Sequence, residues 1–160
     1  MLSRLDYCNT ILVGLPQTTL SSLQRVLHAA ARMFLNLRPC NHVTPALLEF
    51  IHWLPIAERI DFKLCLLVHK AFVGHAPQYI ADLIKPVADL PSRASLQTAL
   101  SGDLYAPRTR RRFGDRAFAI VAPCVQNSLP TGIKLHRSTT TSFKRRLKIA
   151  LFNRSFTEYM

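Results

Sequence analysis

From Leu20 the apolar side chains return every three or four residues: Leu20, Leu23, Val26, Leu27, Ala30, Ala31, Phe34 and Leu35. That is the period of an α-helix with one buried stripe, and it predicts a helix over 18–37. Thr18 stands where a capping hydroxyl would start it, and Arg25, His28 and Arg32 fall on the opposite side. A second helix is predicted over 55–73. Pro55 opens it, Glu58 sits in its first turn and Gly74 stops it. Its apolar residues (Ile56, Ile60, Phe62, Leu64, Leu66, Leu67, Val68 and Ala71) nearly encircle it, which marks it as the central buried helix.

A third helix is predicted over 140–152, starting near Thr140 or Thr141. It turns Phe143, Leu147, Ala150 and Leu151 inward and carries Lys144, Arg145, Arg146 and Lys148 on its other face. Shorter helices follow from proline and capping signals. Thr44-Pro45 begins one that runs through Phe50, and Pro77 begins one that runs through Leu83 and Ile84 and ends at Pro86. Asp115 is placed to cap a helix carrying Phe118, Val121, Ala122 and Val125, kinked or interrupted by Pro123. Asn127 to Gly132 reads as a turn, and Leu104 to Phe113 as an extended stretch. The fold class expected is mainly α: a small helical domain of about five to six helices, with a Pro/Ser-rich linker and a basic C-terminal helical segment. In residue terms this divides the chain into a helical core over 1–85, a linker over 86–106 and a basic helical tail over 107–160.

Charge is distributed as unevenly as apolarity is regular. Residues 1–103 hold nine Lys/Arg against seven Asp/Glu, whereas residues 104–160 hold twelve against only Asp115 and Glu158. Nearly all of the net +12 therefore lies in the last third of the chain. With 49% apolar residues the chain has enough to build a core, so the imbalance does not mark a disordered polycation. It points to a polyanionic partner, nucleic acid first and an anionic membrane surface second.

Cys8, Cys40, Cys65 and Cys124 are far apart and form no C-x-x-C pair, so neither a disulfide framework nor a closed zinc site is expected. Cys40, His42 and His52 supply only three donors, and core packing for the cysteines with surface imidazoles is the reading preferred. No apolar run approaches the ~18 residues of a membrane span, and Asp6 and Asn9 spoil the N-terminus as a secretory signal. A nuclear or cytoplasmic rather than secreted protein is expected.

Catalytic patterns are scarce. Two-metal phosphoryl transfer needs clustered carboxylates, and the nine acids include no Asp-Asp pair. Asp61-Phe62-Lys63 has the D-x-K spacing of some nucleases, but it falls within the predicted central helix with no acid to match it. No enzyme activity, cofactor, metal or small-molecule substrate is expected. The positive signal is basic. Arg108, Arg110, Arg111 and Arg112 stand beside Tyr105 and Phe113, and Lys144, Arg145, Arg146 and Lys148 line the last helix. Guanidinium groups fork onto phosphates and aromatic rings stack on unpaired bases, so RNA or single-stranded DNA, bound without sequence preference, is the partner these residues suggest. A nuclear localisation signal is a competing use of either cluster.

The ordered blocks Ser3-Arg4-Leu5-Asp6-Tyr7-Cys8-Asn9, Gly14-Leu15-Pro16, Leu23-Gln24-Arg25-Val26, His52-Trp53-Leu54-Pro55-Ile56 and Ala76-Pro77 with Tyr79-Ile80-Ala81-Asp82-Leu83 carry a resemblance. So do Pro107-Arg108-Thr109-Arg110, Gly114-Asp115-Arg116-Ala117-Phe118, Asn127-Ser128-Leu129-Pro130 and Phe143-Lys144-Arg145-Arg146-Leu147-Lys148. Together they resemble the region that follows the polymerase core, thumb and tail, in LINE-type (non-LTR) retrotransposon reverse transcriptases. The likeness departs at Gln126, where members of that family usually carry Trp. It implies descent from an enzyme, a helical fold and contacts to template RNA or DNA. It transfers no catalytic residue, because the aspartates of the polymerase palm and the endonuclease are not among the matched blocks. The expected function is thus a non-catalytic reverse-transcriptase fragment with sequence-nonspecific RNA or DNA binding. The alternative is a helical scaffold or protein-interaction remnant without biochemical function, and membrane-surface binding through the last helix is a third reading.

Overall fold

A computed structural model describes residues 9–38, 40–91, 100–110, 114–135 and 139–157. The fold is mainly α, as the apolar spacing requires. Four longer helices carry it: α1 (Gln17–Phe34), α2 (Ile56–Val73), α3 (Phe118–Asn127) and α4 (Thr140–Phe156). Among the described residues there is no strand, and Pro86 and Leu104 form an isolated antiparallel bridge. The described residues group into two compact units, one within Met1–Ile60 and Lys148–Met160, the other within Asp61–Leu147.

In the first unit, α1 starts one step earlier than its sequence suggests. Pro16, with φ −56° and ψ 146°, precedes the helix, and its carbonyl accepts the N–H groups of Thr19 and Leu20. Thr18 does not cap; it lies inside the first turn, where its carbonyl accepts the Ser21 hydroxyl at 2.7 Å. The helix also ends earlier than expected. Asn36 takes the left-handed conformation (φ 52°), and the Leu37 N–H turns back to the Arg32 carbonyl at 2.9 Å. This reverse turn satisfies carbonyls the helix would otherwise leave open, and Asn tolerates its backbone better than most residues. Of the expected stripe, Leu27 and Ala31 are fully buried, whereas Val26 and Phe34 are exposed. Ala31 joins Val43 and Leu47 in a small core, with Ile51 and Trp53 packed against it.

The Thr44-Pro45 signal yields a single α-turn, Thr44–Ala46, preceded by Val43 rather than capped by Thr44. It widens into a π-turn, Leu47–Ile51, and stops at His52, whose φ of 52° is left-handed and whose N–H reaches the Leu47 carbonyl. Gln24 on α1 then fixes the start of α2. Its Oε1 accepts the Ile56 N–H at 2.9 Å, which satisfies one of the orphan donors of a helix N-terminus from 32 residues away.

Helix α2 buries one strip at four-residue spacing, Ile56, Ile60, Leu64 and Val68, widened by Cys65, Leu66 and His69. Leu67, Phe62 and Ala71 are only half-buried, so the burial is one-sided rather than all-round. At its end Gly74 has φ 79°, the Gly74 N–H bonds to the Ala71 carbonyl, and the His75 N–H bonds to Lys70. A Cβ at Gly74 would meet nothing, so the glycine answers to backbone conformation alone.

In the second unit, the Pro77 signal gives a single turn of helix, Gln78–Ala81, shorter than the run through Leu83 and Ile84 expected. Residues 85–87 and 103–105 then pair through Val87 N–H to Asp103 O and Tyr105 N–H to Lys85 O, so the extended reading of Leu104 survives as a bridge. Asp115 does not cap α3. It lies in a 3-10 turn, Gly114–Arg116, where its carboxylate accepts the Thr109 hydroxyl, and Ala117 precedes the helix. Pro123 neither interrupts α3 nor reaches water; the helix runs continuously past it. The turn expected from Asn127 to Gly132 gives way at Thr131 to a further helical turn, Thr131–Lys134, with Pro130 before it.

Candidate nucleic-acid interface

The basic row rests on α4. The Phe143 N–H donates to the Thr139 carbonyl at the start of the helix, and the hydroxyls of Ser155 and Thr157 return to the carbonyls of Leu151 and Asn153 at its end. Phe143, Leu147 and Leu151, spaced by four, are each at most 1% exposed and fix which side faces inward. That leaves Lys144, Arg145, Arg146 and Lys148 all exposed. Lys144, Arg145 and Lys148 lie within about 100° of arc on one side, while Arg146 points away from them. Thr140–Phe156 contains no acidic residue, so nothing on the helix itself neutralises the row. Ile149 is 53% exposed on the same outward side, so the polar face is interrupted by an apolar residue.

The second cluster is placed in part. Arg108 and Arg110 are exposed on the stretch leading to Gly114–Arg116; Arg111, Arg112 and Phe113 lie outside the described residues. Tyr105 is half-buried beside them, its backbone tied to Lys85. Thr109 packs over Gly114, where a Cβ would come within 3.0 Å of the threonine methyl, and its hydroxyl holds Asp115. The two basic clusters thus sit on separate elements, a loop and a helix.

The residues weighed for metal chemistry do not converge. Cys40, His42 and His52 are exposed, and the Cys40 thiol faces the Asn41 side-chain oxygen at 3.7 Å. Among the described residues no three His, Cys, Asp or Glu side chains gather as metal ligands would. Asp61 and Lys63 are half-buried within α2. Of the cysteines read as core, Cys65 is buried, whereas Cys40 and Cys124 are exposed; Cys8 lies outside the described residues. Cys124 sits among apolar neighbours in sequence, but its helix turns it outward while Ala122 and Pro123 turn in. A cavity of about 260 Å³ is lined by Ala71, Phe72, Ala81, Ile84, Pro86 and Asp89, with one carboxylate and no nucleophile. Among the described residues no helix is long and apolar enough to cross a membrane.

Sequence reading missed a set of polar residues that hold the second unit together. The Asn127 side chain clamps the Leu104 backbone from both sides: its Oδ1 accepts the Leu104 N–H at 2.8 Å, and its Nδ2 donates to the Leu104 carbonyl at 2.9 Å. Lys134 forms a 2.7 Å ion pair with Asp103 and donates to the Asn127 carbonyl at 3.2 Å. Gly102 (φ 74°) lies under Leu135, whose Cδ2 would stand 2.7 Å from a Cβ there. Asn before Ser-Leu-Pro was the only signal, and it carried no hint of its partner 23 residues away.

Set beside known proteins, the chain matches no family model, no curated protein and no solved structure. The class defined by fold alone is a small, mainly α protein whose positive charge is concentrated towards its C-terminal helix.

Proposed function

We propose that this chain binds RNA or single-stranded DNA without sequence preference and without catalysis, as a segment descended from the post-polymerase region of a LINE-type reverse transcriptase. The observation that carries the reading is the exposed row Lys144, Arg145 and Lys148 on a helix without acids, backed by Arg108 and Arg110. Exposed, uncompensated cations bind phosphates by releasing condensed counterions, which requires no shaped pocket. The test is a salt titration of a fluorescent RNA. Affinity should fall with a log–log slope of roughly −0.7 per phosphate contacted. Replacing Lys144, Arg145, Arg146 and Lys148 by Ala should weaken binding and flatten that slope. Replacing Arg108, Arg110, Arg111 and Arg112 should do the same. Binding that ignores both sets would remove the reading.

A second reading, a helical scaffold for protein contacts, has its own support. Met33, Phe34 and Phe50 are each more than 70% exposed in the first unit, and large apolar side chains so exposed are frequent at protein interfaces. Concentration-dependent self-association or partner capture that survives both cluster replacements would favour it.

A further inference from the structure

An aromatic ladder continues the basic row of α4. Phe152 follows Lys148 by four residues, the spacing that brings side chains onto one side of a helix. The His52 imidazole lies against Phe152, with ring centroids 5.7 Å apart and planes 30° from parallel. Phe152 in turn leans on Phe156 at 4.8 Å and 52°. The ladder is anchored at one end and open at the other: Phe156 is 4% exposed, Phe152 is half-buried and His52 is exposed. His52 is held there by its backbone. It ends the π-turn in a left-handed conformation that few non-glycine residues adopt, with its N–H on the Leu47 carbonyl at 2.8 Å.

Cations in line with an open aromatic ring are the two components of a single-strand site: the cations follow the phosphates and the ring takes an unpaired base. A duplex offers the phosphates but keeps its bases stacked. We propose that the His52–Phe152 stack is a base-stacking platform beside Lys148, and that it selects single-stranded RNA or DNA over duplex. The proposal rests on the nucleic-acid reading above and adds a site and a preference to it.

The experiment compares three probes of about twenty nucleotides at one salt concentration: oligo(U), oligo(dT) and a duplex. His52→Asn keeps a residue that accepts the left-handed backbone and removes the ring. Phe152→Leu keeps apolar bulk and removes the surface on which His52 rests. Each should weaken binding of both single strands roughly five- to tenfold, the low end for a stacked base. Duplex affinity should stay within about twofold, and the salt slope should not change, because no cation is lost. Single-strand affinity unchanged in His52→Asn, or duplex affinity lowered equally, overturns the platform. If Phe152→Leu unfolds, the exposed His52→Asn decides alone. Wild-type protein that binds none of the probes would defeat the underlying reading and the platform with it. Binding that responds to the lysine and arginine replacements but not to His52→Asn would defeat only the platform.

Discussion

His69 on α2 and Phe143 on α4 lie face to face, their ring centroids 4.0 Å apart and their planes within 5°. Both are buried, His69 at 3% and Phe143 at 1% exposure. A close parallel pair is uncommon for two hydrocarbon rings, whose quadrupoles prefer an offset or an edge, but an imidazole carries a different charge distribution and accepts it. The pair ties the inward side of the basic helix to the middle of α2, so the presentation of Lys144 and Arg145 depends on a residue far from them in sequence. Phe143→Ala should cost about 3–5 kcal/mol, from lost burial and the cavity left behind. Phe143→Leu should cost less, since it restores most of the volume and loses chiefly the ring contact. Urea denaturation of both variants measures the difference; a Phe143→Leu loss near zero would mean that the stack adds nothing beyond volume.

Leu64 and Ile149 provide a contrast in burial. Leu64 is 2% exposed within the inward strip of α2, and Leu64→Ala should cost about 2–5 kcal/mol, enough to unfold a marginal domain. Ile149 is 53% exposed, and Ile149→Ala should change stability by no more than about 0.5 kcal/mol. Leu67, also apolar but half-buried, should fall between them. Thermal melts of the three variants check the order.

A pH dependence follows from His28. Gln24 Oε1 accepts the Ile56 N–H, so its amide nitrogen is the group that faces His28 Nε2 at 2.7 Å. An amide N–H can only donate, so Nε2 must accept, and the imidazole is held neutral. Burial lowers the His28 pKa below its usual 6.5, and the nearby Arg32 lowers it further. The unfolded chain therefore binds a proton at a higher pH than the folded one. Stability from this site is fully present above about pH 6.5 and is lost as pH falls through the depressed folded value. Melting temperature should drop between pH 7 and 5, and the drop should shrink in His28→Gln, which cannot titrate. An identical decline in that variant would place the pH dependence elsewhere.

How much of this was legible in the sequence depends on whether the cause is local. That α1, α2 and α4 form follows from apolar period, although α1 stops at Phe34, short of the 37 expected, and α4 runs on to Phe156, past the 152 expected; the end of α2 at Gly74 follows from a residue free to adopt φ 79°. Asn36 takes the same conformation at the end of α1, but Asn visits it less readily than Gly, so the residue type does not mark that end. Thr18, Thr44 and Asp115 do not cap the helices they were expected to start, because a capping side chain competes with whatever lies nearby. Asp115 found the Thr109 hydroxyl, and the start of α2 found Gln24. The exposure of α4's cations was readable from period alone. The His52–Phe152 stack joins residues 100 positions apart, and spacing says nothing about such a pair.

The Asn127 clamp and the Lys134–Asp103 pair should be costly to break. Leu104 is 3% exposed, so Asn127→Ala would leave its N–H and C=O buried without partners, at about 1–3 kcal/mol for each group left unsatisfied. The Lys134 and Asp103 side chains are 7% and 18% exposed. Removing either charge leaves the other with little water, so Lys134→Ala should cost about 3 kcal/mol. The double replacement Lys134→Met with Asp103→Leu should cost less than Lys134→Ala alone, because no charge is stranded. A double-mutant cycle by chemical denaturation measures this. Strictly additive losses would show that the pair is screened like a surface ion pair.

Gln126 offers a way to raise stability. It is 3% exposed on the inward side of α3, beside the buried Ala122 and Pro123, and its Oε1 has no hydrogen-bond partner. A buried acceptor without a donor costs about 1–3 kcal/mol relative to an apolar group of the same shape. Gln126→Met nearly preserves length and volume and removes the acceptor, so it should stabilise by about 1–2 kcal/mol. Gln126→Trp adds a bicyclic ring at a site that is already enclosed. Overpacking of that size costs about 1–3 kcal/mol. Melting temperatures should therefore rank Met above Gln and Gln above Trp. A Trp variant more stable than the native Gln would mean that the surroundings of α3 accommodate the larger ring and that the site is not closely packed.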